Sequence, residues 1–190
     1  VKLTSMVNVS YEHHVLPNIN HFEQLRDDQI TKAELYEEVV QSATGFVHPQ
    51  FLACFGLTSR TQSEGSGPIL QEFLQTNDAD MRLLMVARHM LITEGYWALV
   101  WLLQRAETEG RIFLNYQDII ITYAACFGVD STSSSSARHL PFIVSNLHYL
   151  GILSSPQPRH ARVIMPRFRQ AIGFDLQQEM EAFQQLTPFE

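Results

Sequence analysis

The sequence predicts a mainly α-helical protein with a short β element near its C-terminal end. Apolar residues recur at spacings of three and four over most of the chain, and capping residues or glycines stand at the ends of these segments. Two short β-like runs, at 151–153 and 161–165, follow the helical segment that ends at residue 150. We expect a helical region over residues 1–109, a helix pair with short strands over residues 110–170, and a C-terminal helix over residues 171–190.

The N-terminal region begins with an arm. The first 20 residues show no sustained period and contain Pro17, so they predict an arm with at most a short strand around Met6–Val9. Thr31 and Glu34 form a capping box, in which each side chain accepts a hydrogen bond from the other residue's backbone N–H. Apolar spacing and prolines at first turns then predict helices over residues 32–43, 50–57 and 68–75, with a polar loop at 58–67.

The segment from Asp78 to Thr108 is the most apolar part of the chain. It predicts a helix capped by Asp78 or Asp80, an interruption at residues 93–95, and a second helix from Tyr96 to Thr108. Apolar residues nearly encircle the second helix, which is typical of a central core helix or of a dimer-forming one. The region could alternatively enclose a small ligand between its helices. Five aromatic residues would line such a pocket or would equally fill a core: Phe46, Phe51, Phe55, Trp97 and Trp101.

Beyond Gly110 short strand-like runs alternate with helical segments. The expected order is a strand at 111–114, a helix at 116–127, a Ser/Thr turn at 131–136, a helix at 137–150, strands at 151–153 and 161–165, and a last helix at 174–186. Pro141 complicates the second helix, because proline is tolerated in the first turn but not in the interior. If that helix begins near His139, Arg138 precedes it.

The charges are unevenly distributed along the chain. Residues 1–130 carry eight Lys and Arg against sixteen Asp and Glu, whereas residues 131–170 carry five Arg and no acidic residue. The net charge of −7 therefore hides a basic block of forty residues. Such a block is a local electrostatic footprint that attracts a polyanion, even on an acidic protein.

The order of elements in residues 111–166 resembles the winged helix-turn-helix superfamily. The most specific piece is Leu147-His148-Tyr149-Leu150-Gly151-Ile152-Leu153, which is similar to the end of a recognition helix followed by the start of a wing. The resemblance implies a second helix that lies in the major groove of duplex DNA and a β wing that contacts the backbone or the minor groove.

The resemblance also assigns the DNA-contacting residues. Arginine can donate two hydrogen bonds to guanine, and serine hydroxyls suit phosphate oxygens. The helix would present Ser134, Ser135, Ser136, Arg138, His139 and Phe142, and the wing with the segment after it would present Arg159, His160, Arg162, Arg167 and Arg169.

Catalytic and metal-binding motifs are lacking in the sequence. It contains no glycine-rich phosphate loop, no Gly-x-Ser-x-Gly motif and no His-Glu-x-x-His motif, so we expect no enzyme, no metal site and no cofactor. Cys54 and Cys126 lie in apolar contexts that are typical of buried thiols in the reducing cytoplasm. No apolar run reaches the roughly 20 residues that a membrane span needs.

Two functions follow as expectations. The first is a transcriptional regulator that binds duplex DNA through a winged helix-turn-helix as a homodimer. The alternative is a winged-helix adaptor, or a subunit of a larger complex, which binds a protein partner through the acidic N-terminal region without binding DNA.

Overall fold

The structure, a computed structural model, describes residues 8–41, 49–60, 65–127 and 134–173. The α-helices in this part of the chain are α1 (Ile19–Arg26), α2 (Lys32–Gln41), α3 (Pro49–Leu52), α4 (Leu70–Gln75), α5 (Ala79–Ile92), α6 (Trp97–Thr108), α7 (Tyr116–Phe127), α8 (Ser134–Tyr149) and α9 (Met165–Ile172). A π-helical turn spans Tyr11–Val15, and short 3₁₀ helices span Leu16–Asn18, Ala53–Phe55 and Pro158–His160. The expectation of a mainly α protein is confirmed.

The prediction of a β wing is wrong. In the described ranges the chain forms no strand, and pairing after α8 is reduced to one antiparallel bridge between Leu153 and Val163. Residues 111–114, expected as a strand, have no ladder partner.

Prolines on both sides of the bridge limit how far the pairing extends. Pro156 and Pro158 lie in the expected turn, where they lack the N–H that a longer ladder requires, and the chain turns through the 3₁₀ helix at Pro158–His160. Pro166 stands in the first turn of α9, so a helix begins at Met165, the last residue of the expected second strand.

Several predicted helix boundaries are confirmed by the capping geometry. The Thr31 N–H donates to Glu34 Oε2 at 2.6 Å and the Glu34 N–H donates to Thr31 Oγ1 at 3.2 Å, which is the expected capping box before α2. Asp78 Oδ1 accepts from the N–H groups of Asp80 at 2.8 Å and Met81 at 3.1 Å, so Asp78 is the cap of α5. The predicted helix at 174–186 lies outside the described residues.

Helix α6 is a central core helix. Its residues from Trp97 to Leu103 are all buried, including Trp97 at 3% and Trp101 at 4% exposure. A helix that is apolar on all sides must be enclosed, and here the enclosure is the chain itself. Its side chains are therefore not available as a dimer interface.

The prediction of an N-terminal arm is wrong for the residues that the structure describes. Val9, Tyr11 and Val15 are buried at 0% exposure, and the chain is helical from Tyr11 through α1. Asn146, on α8, fastens this segment: its Nδ2 donates to the Val9 carbonyl at 2.7 Å, and its Oδ1 accepts from the Tyr11 N–H at 2.9 Å. Val9, Tyr11 and Val15 are thus part of the core, while Met6 and Val7 of the expected strand lie outside the described ranges.

Both ends of the predicted polar loop at 58–67 are held together. Thr58 and Ser66 form an antiparallel bridge, and the Gly67 N–H donates to the Leu57 carbonyl at 3.2 Å. A Cβ at Gly67 would lie 2.3 Å from the carbonyl oxygen of Gly56, so the close approach of the two backbones requires glycine.

Candidate nucleic-acid interface

Helix α8 packs one side on the core and turns the other to solvent. Leu140, Ile143, Val144 and Leu147 are at most 1% exposed and follow the helical repeat. With 16 residues the helix is about 24 Å long. It packs against α7, so the chain forms a helix pair here. The helix begins at Ser134, which places Pro141 in its interior and Arg138 inside the helix.

The outward side of α8 carries a stripe of exposed residues. Arg138, Phe142, Ser145 and His148 are exposed and stand at positions i, i+4, i+7 and i+10, the spacing that puts side chains on one helix face. Phe142 is 37% exposed. Ser145 and His148 were not among the predicted contacts, although their helical spacing from Arg138 could have identified them.

The other predicted residues of α8 are placed differently. Ser134, Ser135 and Ser136 form its first turn, and the structure describes their backbone alone. His139 is half-buried beside the ring of Phe51, with 6.4 Å between ring centroids, and its Nδ1 is buried with no hydrogen-bond partner in the part of the chain that the structure describes. Burial lowers the pKa of His139, and Arg138 lowers it further. His139 therefore faces inward as a neutral side chain near pH 7.

The loop between the bridge residues Leu153 and Val163 exposes two of its basic residues to solvent. Arg159 and His160 are exposed, and they lie in the 3₁₀ helix that replaces the expected wing. The Arg162 guanidinium bends back: its Nη1 donates to the carbonyls of Ala161 at 3.2 Å and Arg159 at 3.3 Å. Its Nε lies 3.8 Å from Oε1 of Glu107 on α6. Arg162 is thus partly neutralised within the protein.

Arg167 links two helices rather than facing solvent. Its two terminal nitrogens reach the Asp80 carboxylate at 2.8 and 3.0 Å, which ties α9 to the first turn of α5. The Arg167 side chain is 14% exposed. Arg169, two residues further, is exposed. Arg167, one of the basic residues expected to contact DNA after α8, therefore has a structural role.

Three of the five arginines of the basic block remain without an acidic partner in the part of the chain that the structure describes: Arg138, Arg159 and Arg169. Residues 134–173 contain no Asp or Glu. The acidic side chains that pair with arginines of this segment are Asp80 on α5 and Glu107 on α6. The exposed surface of α8, the following loop and α9 is consequently positive. We call Arg138, Arg159 and Arg169 the basic surface.

A second polar cluster is buried in the N-terminal half. The Glu94 side chain is 0% exposed and pairs with the Arg60 guanidinium. Burial lowers the pKa of Arg60, but the Glu94 carboxylate and the Cys54 sulfur together raise it above its ordinary value. A carboxylate between two apolar helices was the sequence signal for this cluster. The Arg60 guanidinium therefore compensates the buried Glu94 charge at the junction of α5 and α6.

His89 completes the buried cluster as a neutral residue. Its Nε2 lies 2.9 Å from the Ala53 carbonyl and 3.9 Å from Oε1 of Glu94. Burial lowers the pKa of His89, and this outweighs the opposing effects of Ala53 and Glu94. The contact between His89 and Glu94 is therefore not an ion pair near pH 7.

Neither a protein-family model, nor a curated protein, nor a solved structure matches the chain. The fold and the site define a helical protein in which one face of α8 is exposed and residues 134–173 carry no acidic side chain. The resemblance to the winged helix-turn-helix superfamily rests on the sequence alone, and its β wing is not formed in the described residues.

In the described ranges no three His, Cys, Asp or Glu side chains are grouped so that they could hold a metal ion. None of the helices described has the length and apolar character that crossing a membrane requires.

Proposed function

We propose that this protein binds duplex DNA through the helix pair α7–α8 and acts as a transcriptional regulator. The observation that carries the proposal is the exposed face of α8, which bears Arg138, Phe142 and Ser145 and belongs to a segment, residues 134–173, without acidic residues.

The dimensions of α8 suit the major groove. The groove of B-DNA is about 12 Å wide and admits one α-helix, whose diameter with side chains is about 10–12 Å. In helix-turn-helix proteins the N-terminal residues of the second helix contact base edges. Arg138 lies in the N-terminal half of α8, so its guanidinium is suited to donate two hydrogen bonds to guanine.

The basic surface suits the phosphate backbone. Arg159 and Arg169 lie on the loop and on α9, outside the exposed face of α8, and therefore contact phosphates in this proposal. Two neutralised phosphates per protomer give a slope of about −1.8 for the logarithm of affinity against the logarithm of salt concentration. Affinity would then fall about 12-fold between about 50 and 200 mM salt.

Dimerisation and location complete the proposal. Operators with two half-sites are read by dimers, and a second copy of this chain would supply the second α8. Cys54 is buried and Cys126 is half-buried, and neither forms a disulfide within the described residues. Thiols of this kind favour the cytoplasm.

One observation favours a protein-interaction adaptor instead. Three large apolar side chains are exposed just before and within α7: Ile112 at 57%, Leu114 at 59% and Ile121 at 54%. Exposed apolar residues that lie close in sequence are typical of surfaces that bind another protein. An adaptor that uses this surface, or the acidic N-terminal half, would not need the basic surface.

Fluorescence anisotropy of a labelled 24-base-pair duplex, at about 50 mM salt, separates the two functions. Arg138→Ala should weaken binding at least several-fold, because it removes one base contact and one positive charge. Arg26→Ala is the matched control, since Arg26 pairs with Asp27 in an acidic part of the chain. Equal affinities of the two variants would contradict the proposal and favour the adaptor.

A further inference from the structure

Phe142 stands out on the exposed face of α8. Its ring is 37% exposed and does not belong to the apolar core or to the half-buried side chains packed against it. Arg138 lies one turn before it and Ser145 follows three residues later. Phe142 is thus an apolar group in the middle of an otherwise polar face.

Duplex DNA offers one apolar group in the major groove, the C5-methyl group of thymine. A phenyl ring that contacts this methyl group removes apolar surface of both molecules from water. The surrounding charge fits such a partner, because residues 134–173 carry no acidic side chain that would repel phosphate.

From this juxtaposition we propose that Phe142 recognises the thymine methyl group and that Arg138 reads a neighbouring guanine. This inference rests on the proposed function. Side chains four residues apart on a helix are about 5–6 Å apart, and successive base pairs are about 3.4 Å apart. The two residues therefore contact bases that lie within two steps of each other, so the recognised element contains a thymine and a guanine at that separation.

The test compares two repeat duplexes that differ in methyl groups alone. The first is a 24-base-pair duplex of alternating T and G paired with alternating C and A, which places thymine beside guanine in every register. In the second, deoxyuridine replaces every thymine. Burial of one methyl group corresponds to a preference of about fourfold. We expect the wild-type protein to bind the thymine duplex about three- to fivefold more tightly in fluorescence anisotropy.

Variants at one position assign the preference to the ring. Phe142→Ser should bind both duplexes equally, whereas Phe142→Leu should keep part of the preference because leucine retains an apolar contact. Circular dichroism is used to confirm that both variants are folded, which the exposure of the ring leads us to expect.

The outcomes distinguish the two proposals. Equal binding of both duplexes by the wild-type protein overturns the methyl contact and leaves duplex binding intact. The methyl contact is also overturned if Phe142→Ser keeps the full preference for the thymine duplex, since the preference then arises from DNA shape or another residue. If the folded protein binds neither duplex at about 50 mM salt, both the inference and the proposed function are overturned.

Discussion

Replacing Asn146 by alanine should destabilise the protein strongly through two backbone groups that lie far away in sequence. The Asn146 side chain is 1% exposed, and it bonds to the Val9 carbonyl at 2.7 Å and to the Tyr11 N–H at 2.9 Å. Both partner residues are 0% exposed, so water cannot replace the lost bonds. An unsatisfied buried group costs about 1–3 kcal/mol. We therefore expect Asn146→Ala to lower the free energy of unfolding by about 2–5 kcal/mol.

Urea unfolding followed by circular dichroism measures this effect. A typical domain has about 5–15 kcal/mol of stability, so the loss would be a large shift of the unfolding midpoint. In thermal unfolding it corresponds to a fall of roughly 5–15 °C for a chain of this size. Ser145→Ala is the matched control, because Ser145 is the exposed neighbour on the same helix. A loss below about 1 kcal/mol for Asn146→Ala would refute the docking of residues 8–11 on α8.

Three further predictions concern stability. A double-mutant cycle of Arg167→Ala and Asp80→Ala should give a coupling energy of about 0.5–1 kcal/mol, since Asp80 is 68% exposed and solvent screens the pair; zero coupling would count against the link between α5 and α9. Tyr123→Phe should leave the unfolding free energy unchanged or raise it by up to about 1 kcal/mol, because the buried Tyr123 hydroxyl has no hydrogen-bond partner among the described residues; a large loss would show that this hydroxyl is bonded. Acidification should destabilise the fold: the pKa values of His89 and His139 are lowered from 6.5 in the folded state, so the unfolded state binds protons first and stability is lost as the pH falls below about 6.5. Urea midpoints measured between about pH 7.5 and 5 test this, and a midpoint that does not fall with pH would contradict the burial of these imidazoles.

Local signals in the sequence predicted much of the helical fold. The caps at Thr31 and Asp78 and the boundaries of α7 could be read because the interacting groups are at most four residues apart. The β-branched residues alone could not predict whether the wing forms. Prolines in the turn and the bonds of the Ser154 hydroxyl with the Arg162 N–H at 3.1 Å and the His160 carbonyl at 3.0 Å limit its ladder to the backbone bonds beside one bridge.

Pairings between distant residues could not be predicted in the same way. Asn146 and its partner Tyr11 are 135 residues apart, and Arg167 and Asp80 are 87 residues apart. No local pattern marks such partners. The acid-free block was visible in the sequence, but which of its arginines are exposed depends on the acids that α5 and α6 bring to it.

The salt dependence of duplex binding tests the central claim most directly. It is measured by fluorescence anisotropy between about 50 and 200 mM salt for the wild-type protein and for a triple variant in which Arg138, Arg159 and Arg169 are alanine. The account predicts a slope of about −1.8 per protomer for the wild-type protein and a slope near zero, with much weaker binding, for the triple variant. An unchanged slope in the folded triple variant would contradict DNA binding through the basic surface.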